Sequence, residues 1–352
     1  MRSAYIFNPD NDLALANGAD NYTAPKMARK IRDDLQLIPL WFADTGSTII
    51  ADCDTVNEAF VADTIKMFPQ LGAVDLSHRD ADCAMPWGWS RAIRSELKRL
   101  NVANLPDKLQ LDAFRQLSHR RTSVDILSEI DYRGIMPSEC FSLSDVQRYV
   151  SLHGETVVKA PWSCSGRGVF CVREEPTASD RGRWNRLLRE QGGVELEPVQ
   201  QGQLDFALEF RATARGRVEY LGASLFRTGS QGAYMGNVVA PQAAIMQEIA
   251  AAFPLYPKLH ALLVETLEEV LASRLDGHYA GPLGVDLMVC KSPAGPTLLP
   301  CVEVNLRKTM GHVSMKVAKR DIKPSDIPSA LRKLWYFCAP SCYTKEDRAS
   351  GH

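Results

Sequence analysis

Apolar positions along the first hundred residues follow two different periods, one typical of strands and one typical of helices. Short and almost continuous apolar runs at residues 4–7 and 36–42 predict buried strands. Three longer segments repeat their apolar residues at helical spacing and predict helices, at residues 26–35, 56–68 and 89–100. Because strands that alternate with helices are typical of a parallel sheet, we expect an open α/β unit here.

The pattern changes after residues 104–107, where an Asn-Leu-Pro-Asp segment predicts a boundary before a helix that begins near Lys108. Beyond this boundary the same spacing predicts further helices, at residues 109–117, 122–130, 143–152 and 256–275. Apolar runs predict the strands that lie between them, at residues 157–160, 207–211, 217–226, 285–290 and 297–304. The chain therefore contains a second region in which strands and helices are mixed.

Length and composition favour a protein that acts on small molecules. A chain of 352 residues fits two or three packed units. Its net charge of −1 provides no general attraction to nucleic acid or to an anionic membrane. No run of about 18 apolar residues is present, and the N-terminal apolar segment is too short for a signal peptide. We expect a cytoplasmic protein with no nucleic-acid or membrane partner.

The nine cysteines do not indicate disulfides or a zinc site. Cys171, Cys290 and Cys301 lie inside strand-like runs, where a free thiol behaves as a small apolar residue. Cys338 and Cys342 are close in sequence, but no second pair or histidine cluster completes a set of zinc ligands. Reduced thiols in the core are the prediction.

One local motif has the composition of a phosphate-binding loop. The strand at residues 157–160 ends on Lys159, a loop of small residues follows, and a second apolar strand then begins. Glycines let backbone N–H groups approach a polyphosphate closely, and a lysine beside them supplies a compact positive charge. The loop residues that would act in this way are Ser163, Ser165, Gly166 and Gly168. A plain β-hairpin is the alternative, since Ser-Gly-Arg-Gly is also ordinary turn chemistry.

A second motif, roughly 130 residues further along, predicts a metal site. Asp286 lies inside one apolar strand, and Glu303 and Asn305 lie two residues apart on the next strand, which places them on the same face. If the two strands pair, three hard oxygen donors come together, as suits Mg²⁺ bound jointly with phosphate oxygens. The alternative is that the two acids are paired with Arg or Lys, since an unpaired acid in an apolar strand is costly.

In this order, the lysine, the glycine loop and the acidic strands resemble the ATP-grasp superfamily over about residues 106–330. In motif order the chain is similar to D-alanine–D-alanine ligase and glutathione synthetase. The resemblance implies an α/β protein (α+β in part) whose two ATP-grasp subdomains sandwich ATP. It implies four regions: a pre-ATP-grasp α/β domain at 1–105, a small subdomain with the lysine and glycine loop at 106–196, a C-terminal subdomain with the metal site at 197–340, and a polar tail at 341–352.

The resemblance also implies a role for individual residues. Lys159 would contact the phosphates of ATP, and residues 163–168 would form a loop that is mobile without nucleotide and closes over it. A hinge at residues 194–205 would bind adenine and ribose, adenine at Glu197, Pro198 and Val199 and ribose at Asp205. Mg²⁺ would be held by Asp286, Glu303 and Asn305.

Two further cations belong to the implied site. Arg307 would steady the transferred phosphoryl group. Relatives also have a cation early in the ATP-binding half, for which the sequence offers Arg120 and Arg121 without choosing between them.

The activity that the resemblance implies is ATP- and Mg²⁺-dependent ligation. A carboxylate would be activated as an acyl phosphate and joined to an amine, with release of ADP and phosphate. Two alternatives remain open: an ATP-grasp kinase that phosphorylates a hydroxyl, and a non-catalytic ATP-binding regulatory module. The partners would be a small carboxylate and a small amine, and a homodimer is compatible with the superfamily.

Three further positions have open roles in the sequence. Residues 8–12, with Asp10 and Asp12, form either a ligand site at the end of the first strand or a capped turn with Asp12 as the N-cap. Arg227 either binds an anionic group or is solvated. His312 is the histidine nearest the predicted chemistry, as a base or as a structural side chain.

Overall fold

The computed structural model describes residues 2–76, 81–163, 168–172, 176–229 and 234–322. The predicted polar tail at 341–352 and the cysteines at 338 and 342 lie outside these residues. In the described part, helices are α1 (Asn11–Asn17), α2 (Lys26–Asp34), α3 (Thr55–Met67), α4 (Arg91–Arg99), α5 (Lys108–Leu117), α6 (Arg121–Glu129), α7 (Leu143–His153), α8 (Ala178–Gln191), α9 (Gln242–Ala252), α10 (Tyr256–Leu275) and α11 (Met310–Lys319).

The strands of the described residues form three sheets. They are β1 (Ser3–Ile6), β2 (Thr48–Ile49), β3 (Asp75–Leu76), β4 (Cys83–Pro86), β5 (Ser138–Cys140), β6 (Thr156–Lys159), β7 (Val169–Val172), β8 (Val194–Pro198), β9 (Gly202–Ala212), β10 (Val218–Thr228), β11 (Tyr234–Asn237), β12 (Gly281–Cys290) and β13 (Thr297–Asn305).

The first unit is the parallel α/β sheet that the alternating pattern predicts. Its strand order is β3-β2-β1-β4, and β1 pairs in parallel with both of its neighbours. Apolar side chains of β1 and of the segments after it fill one core, in which Phe7 packs edge-on against Trp87. Residues 8–12 therefore follow the carboxyl end of a central strand, the edge at which α/β sheets commonly bind ligands.

The predicted strand at residues 36–42 is wrong. Ile38–Trp41 form a 3₁₀ helix, and all four of these side chains are buried. Pro39 lacks the N–H that a strand ladder would need, and the carbonyl oxygen of Pro39 instead accepts from Phe42 N at 3.0 Å. When all side chains of a short segment are buried, its sequence is apolar throughout, and the spacing that distinguishes a helix from a strand cannot be seen. The strand beside β1 is β2 instead.

Two antiparallel sheets make up the rest of the described chain. The smaller has the order β5-β8-β6-β7, and the larger has the order β11-β10-β9-β12-β13. Helices α9 and α10 pack on the larger sheet, and α6 packs along β13. The predicted helix at 256–275 and the predicted strands at 285–290 and 297–304 are confirmed by α10, β12 and β13.

Several elements have no counterpart in the prediction, and two of them show no clear apolar spacing in the sequence. Helix α8 is almost wholly polar and buries only Trp184 and Leu187, although the capping box formed by Thr177 and Asp180 marks its start. Helix α9 is so rich in alanine that its apolar stripe is weak. Helix α11 follows β13, and the capping box formed by Thr309 and His312 marks its start.

The thiols of the described residues are free, as predicted. Cys290 and Cys301 are buried, whereas Cys171 is exposed on β7, the outermost strand of its sheet. Among the described helices, none has the length and apolar character needed to cross a bilayer.

Candidate active site

Lys159 ends strand β6 in a setting made almost entirely of acids. It lies opposite Glu195 of β8 in the antiparallel ladder, and its side chain is buried. Its Nζ forms an ion pair with Glu197 Oε1 at 2.5 Å, and Nζ has no hydrogen bond within the described residues. A buried ammonium group with one carboxylate beside it has three N–H donors, so it can also bind an anionic ligand.

Glu195 is a site residue that the sequence did not single out. It is 3% exposed, and its Oε2 has no hydrogen-bond partner among the described side chains and backbone. Burial raises the pKa of Glu195 to about 7, although Arg120 and Lys159 act in the opposite direction. The sequence of β8 does contain a sign of this position. Val194 and Leu196 alternate with Glu195 and Glu197, so when the apolar pair enters the core both glutamates lie on the opposite face.

The predicted metal residues come together on the larger sheet. Asp286 of β12 lies opposite Glu303 of β13, and Asn305 lies opposite Gly284. Asn305 Nδ2 donates to Asp286 Oδ2 at 3.1 Å. Burial raises the pKa of Asp286 well above its usual range, and the neighbouring charge of Glu303 adds to this effect. Two partly buried carboxylates, one of them bonded to an amide, indicate a place for a cation.

The donor set fits Mg²⁺ only as a shared site. Within the described residues, no three Asp, Glu, His or Cys side chains form a metal-binding group. Asp286 and Glu303 supply carboxylates and Asn305 an amide, so the remaining ligands of an octahedral ion would come from phosphate oxygens or water. The alternative of a simple ion pair is true in part, because Glu303 Oε1 accepts from Arg120 Nη2 at 3.0 Å.

Arg120 connects the two antiparallel sheets. It precedes α6, and its guanidinium is fully buried. Its Nε donates to Ala160 O at 3.2 Å, and its Nη2 donates to Ser163 Oγ at 3.0 Å as well as to Glu303. The start of the glycine loop therefore shares one cation with β13, which we call the metal strand because the predicted ligands Glu303 and Asn305 lie on it.

Arg121 points away from this arrangement. Its Nε and Nη2 donate to the two carboxylate oxygens of Glu139 at 2.6 and 2.9 Å, and its side chain is about half exposed. The structure thus distinguishes two neighbouring arginines that the sequence could not. We call the space bounded by Arg120, Lys159, Glu195, Glu197, Asp286 and Glu303 the inter-sheet cleft.

Of the predicted glycine loop, the structure describes Ser163 and Gly168, whereas Ser165 and Gly166 lie outside the described residues. Gly168 O accepts from Ala160 N at 2.8 Å, which closes the two ends of the loop. Gly168 has φ 82°, and an added Cβ would lie 3.0 Å from Ala160 Cβ. A glycine is therefore required at this end of the loop.

The predicted hinge runs from β8 into β9. Glu197 faces Lys159, Pro198 ends β8, and Val199 is exposed. The amide of Val199 donates to Glu155 O at 3.2 Å and is thus not available to a base. Asp205 on β9 accepts from Thr228 Oγ1 at 2.7 Å. Adenine and ribose contacts at these residues stay predictions.

Arg307 follows the metal strand and is paired with an acid of the first unit. Its Nε lies 3.0 and 3.3 Å from the two carboxylate oxygens of Asp12. Its charge also acts on Asp286, whose pKa it lowers against the effect of burial. The prediction that Asp12 is an N-cap is wrong: Asp10 occupies that position without a side-chain cap bond, and Asp12 turns toward Arg307.

His312 is a structural side chain. Its backbone N–H donates to Thr309 Oγ1, and its Nδ1 accepts from Thr309 N, which caps α11. Nδ1 also lies 3.0 Å from Glu209 Oε2, beneath the first turn of α11. Burial lowers the pKa of His312 to about 3, so its imidazole is neutral at neutral pH and a weak proton acceptor. Arg227 pairs with Glu248 at 2.7 Å on the surface.

A separate cavity of about 870 Å³ lies in the first unit, between α2 and α4. Residues of both signs line it, among them Arg29, Arg32, Asp52 and Glu96. It shares no residue with the inter-sheet cleft. The volume of this cavity is therefore not evidence that a reaction takes place there.

The fold can be compared with solved structures. The biotin carboxylase domain of Hydrogenobacter thermophilus 2-oxoglutarate carboxylase, solved with MgADP, ADP and bicarbonate, is similar at a TM-score of 0.52 and 13% identity, over 93% of this chain and 72% of that one. D-alanyl-alanine synthetase A from Vibrio cholerae matches at a TM-score of 0.47 and 12% identity, over 95% and 97% of the two chains. L-amino acid ligase from Bacillus licheniformis matches at a TM-score of 0.43 and 16% identity, over 91% and 70%.

No protein-family model matches the chain, and no curated protein matches it. At the identity of the structural matches the similarity establishes the fold and leaves the reaction open.

Proposed function

Because the chain has the ATP-grasp fold, we propose that it binds ATP with Mg²⁺ in the inter-sheet cleft and ligates a small carboxylate to an amine. The observation that supports this most is the position of Arg120, which bonds to the glycine-loop residue Ser163 and to the metal-strand residue Glu303 at the same 3.0 Å. Phosphates held between the two sheets would meet cations from one side and a metal site from the other.

Catalysis in such a site rests on positioning and charge. Lys159 would bind phosphate oxygens through donors that make no hydrogen bond within the described residues. Mg²⁺ at Asp286, Glu303 and Asn305 would offset the charge of the phosphates. Arg307 would stabilise the phosphoryl group as it moves to the substrate carboxylate.

The proposed reaction has two steps. A carboxylate oxygen attacks the γ-phosphorus of ATP, and ADP leaves. The amine then attacks the acyl carbon, and the carbon–oxygen bond breaks so that phosphate leaves and an amide remains. The buried walls of the inter-sheet cleft would keep water from the acyl phosphate.

The test is a screen of carboxylate and amine pairs for Mg²⁺-dependent formation of ADP and phosphate, with products identified by mass spectrometry. A ligase gives ADP, free phosphate and an amide. A hydroxyl kinase gives ADP and a phosphoester, and a binding module gives no product at all.

Two variants show whether the turnover belongs to this site. Lys159→Met and Glu303→Ala should each lower the rate by about 100-fold or more, as the loss of a preorganised charge does. Lys98→Met and Glu269→Ala are matched controls, since both side chains are exposed and lie outside the inter-sheet cleft. A normal rate in either site variant, with an unchanged melting temperature, would rule out this assignment.

A further inference from the structure

Asp12 is a buried acid of the first unit whose partner lies 295 residues away. The side chains of Asp12 and Arg307 are 14% and 17% exposed, and both carboxylate oxygens face Arg307 Nε. Asp12 is in the first turn of α1, but it makes no cap bond to that helix. Besides a hydrogen bond with its neighbour Asn11, Asp12 thus pairs with the residue that follows the metal strand by two positions.

The backbone around this pair is held on both sides. Asn8 and Gly88 exchange two hydrogen bonds, at 2.9 and 3.3 Å. Gly88 in turn forms a β-bridge with Arg307, and Lys308 N donates to Trp87 O at 2.8 Å. An added Cβ at Gly88 would lie 3.0 Å from Arg307 Cβ, so the segment after β4 lies directly against Arg307.

We propose that Asp12 is a positioning residue that holds the Arg307 guanidinium toward the metal strand, an inference that rests on the proposed function. An arginine side chain has many rotamers, and fixing it in advance avoids that entropic cost when phosphate binds. A buried guanidinium also needs a counter-charge, which Asp12 supplies. The first unit thus contributes to the phosphate site through Arg307, which follows the last strand of the larger sheet.

The rival explanation is that the pair only joins two units. A structural tie would affect the stability of the whole chain but would not distinguish between nucleotides. A positioning role predicts a specific effect on the terminal phosphate, because that is the group Arg307 would meet. The two explanations therefore differ in one ratio, the affinity for a triphosphate analogue divided by the affinity for ADP.

The experiment measures this ratio by calorimetry with AMP-PNP and with ADP, each with Mg²⁺, on the full chain. Arg307→Ala should lower the ratio by about tenfold or more, since a charged hydrogen bond to phosphate is lost. Asp12→Asn should lower it in the same direction by about threefold or more, and Asp12→Glu should restore most of it. Combining Asp12→Asn with Arg307→Ala should add nothing to Arg307→Ala alone. The matched control is Asp20→Asn, an exposed acid paired with Lys108 at 3.0 Å.

Each result decides between the explanations. A lowered ratio in Asp12→Asn, restored in Asp12→Glu, supports positioning. If Arg307→Ala lowers the ratio and both Asp12 variants resemble the wild type, the positioning role of Asp12 is wrong, while the proposed role of Arg307 at the terminal phosphate stands. If Arg307→Ala also leaves the ratio unchanged, the pair is a structural tie. If the wild type binds neither nucleotide, the proposed function itself fails.

Discussion

Arg120 and Arg121 are adjacent in sequence and opposite in environment. Arg120 is fully buried with Glu303, Ser163 and Ala160 as partners, whereas Arg121 is paired with Glu139 at the surface. Burial in a water-excluded site makes a charge interaction much stronger than it is at the surface. The two residues thus form a natural pair of test and control.

We predict that Arg120→Ala weakens binding of AMP-PNP with Mg²⁺ by about tenfold or more, because a buried cation beside the phosphates is lost. It should also lower the melting temperature, since Glu303 loses its buried partner. Arg121→Ala should bind the nucleotide as the wild type does. Calorimetry and thermal denaturation of the two variants check this, and equal affinities would show that Arg120 does not meet the nucleotide.

Glu195 gives the unliganded chain a pH dependence of its own. The groups that face it are Lys159, Arg120, Glu197 and Glu303. Burial raises its pKa to about 7 from an ordinary value of 4.5, so the folded state binds its proton more tightly than the unfolded state does. The contribution of Glu195 to the free energy of unfolding is therefore largest at low pH, where the carboxyl is protonated. It falls by at most about 3 kcal/mol as the pH rises from about 4.5 to 7.

We therefore predict that Glu195→Gln, which cannot ionise, gains melting temperature over the wild type as the pH is raised from about 5 to 8. Glu269→Gln, on the exposed side of α10, should show no such gain. The measurement is the difference in melting temperature between each variant and the wild type across this range. A constant difference for Glu195→Gln would mean that the carboxyl is already ionised when folded.

At the scale of elements, β6 and β7 bracket the glycine loop. Ala160 N and Gly168 O hold its two ends together, and Arg120 holds Ser163. After the buried Trp162, residues 163–166 are small (Ser-Cys-Ser-Gly) and Arg167 is polar, so this stretch offers little apolar surface to bury. Phosphate contacts would supply the energy that orders such a segment.

We predict that AMP-PNP with Mg²⁺ slows amide hydrogen exchange across residues 160–172. A peptide from α10, which packs on the larger sheet and contains no predicted site residue, serves as the control and should exchange at the same rate in both states. Unchanged exchange across the loop would favour the plain hairpin that the sequence also allowed.

Elements whose apolar residues recur at a clear helical or strand spacing could be predicted from the sequence, and elements without such a spacing could not. The alternation of acids in apolar strands was enough to pair Asp286 with Glu303, because a strand's two faces are fixed by its geometry. The segment that became the 3₁₀ helix Ile38–Trp41 has no polar face at all, so its period is invisible. Glu195 lay inside the predicted hinge, but neither its burial nor the nearby charges of Lys159 and Arg120 follow from that segment, because they arise only in the folded chain.

At the scale of the whole molecule, the site depends on contacts between distant parts of the chain. Arg120 and Glu303 are 183 residues apart, and Asp12 and Arg307 are 295 apart. No local pattern specifies such pairs, since each arginine in the sequence has many acids to choose from. The fold selects them by packing the first unit and both antiparallel sheets around one region.

The charge of the assembled inter-sheet cleft predicts a requirement for metal. Its four acids, Glu195, Glu197, Asp286 and Glu303, lie near three cations: Lys159, Arg120 and, beside Asp286, Arg307. A polyphosphate entering this cleft meets repulsion unless a divalent ion offsets it. We predict that AMP-PNP binds at least about tenfold more weakly in EDTA than with Mg²⁺, as measured by calorimetry. Equal affinities in the two buffers would contradict a metal at Asp286 and Glu303.

The central claim is that ATP activates a carboxylate, and the transfer of an oxygen isotope tests it directly. The carboxylate found in the substrate screen is labelled with ¹⁸O and incubated with the enzyme, ATP, Mg²⁺ and the amine. If an acyl phosphate forms, one carboxylate oxygen becomes bonded to phosphorus and leaves with it, so the released phosphate contains ¹⁸O. Mass spectrometry of that phosphate gives the answer. Phosphate released at the same rate without ¹⁸O would show that the carboxylate is never phosphorylated.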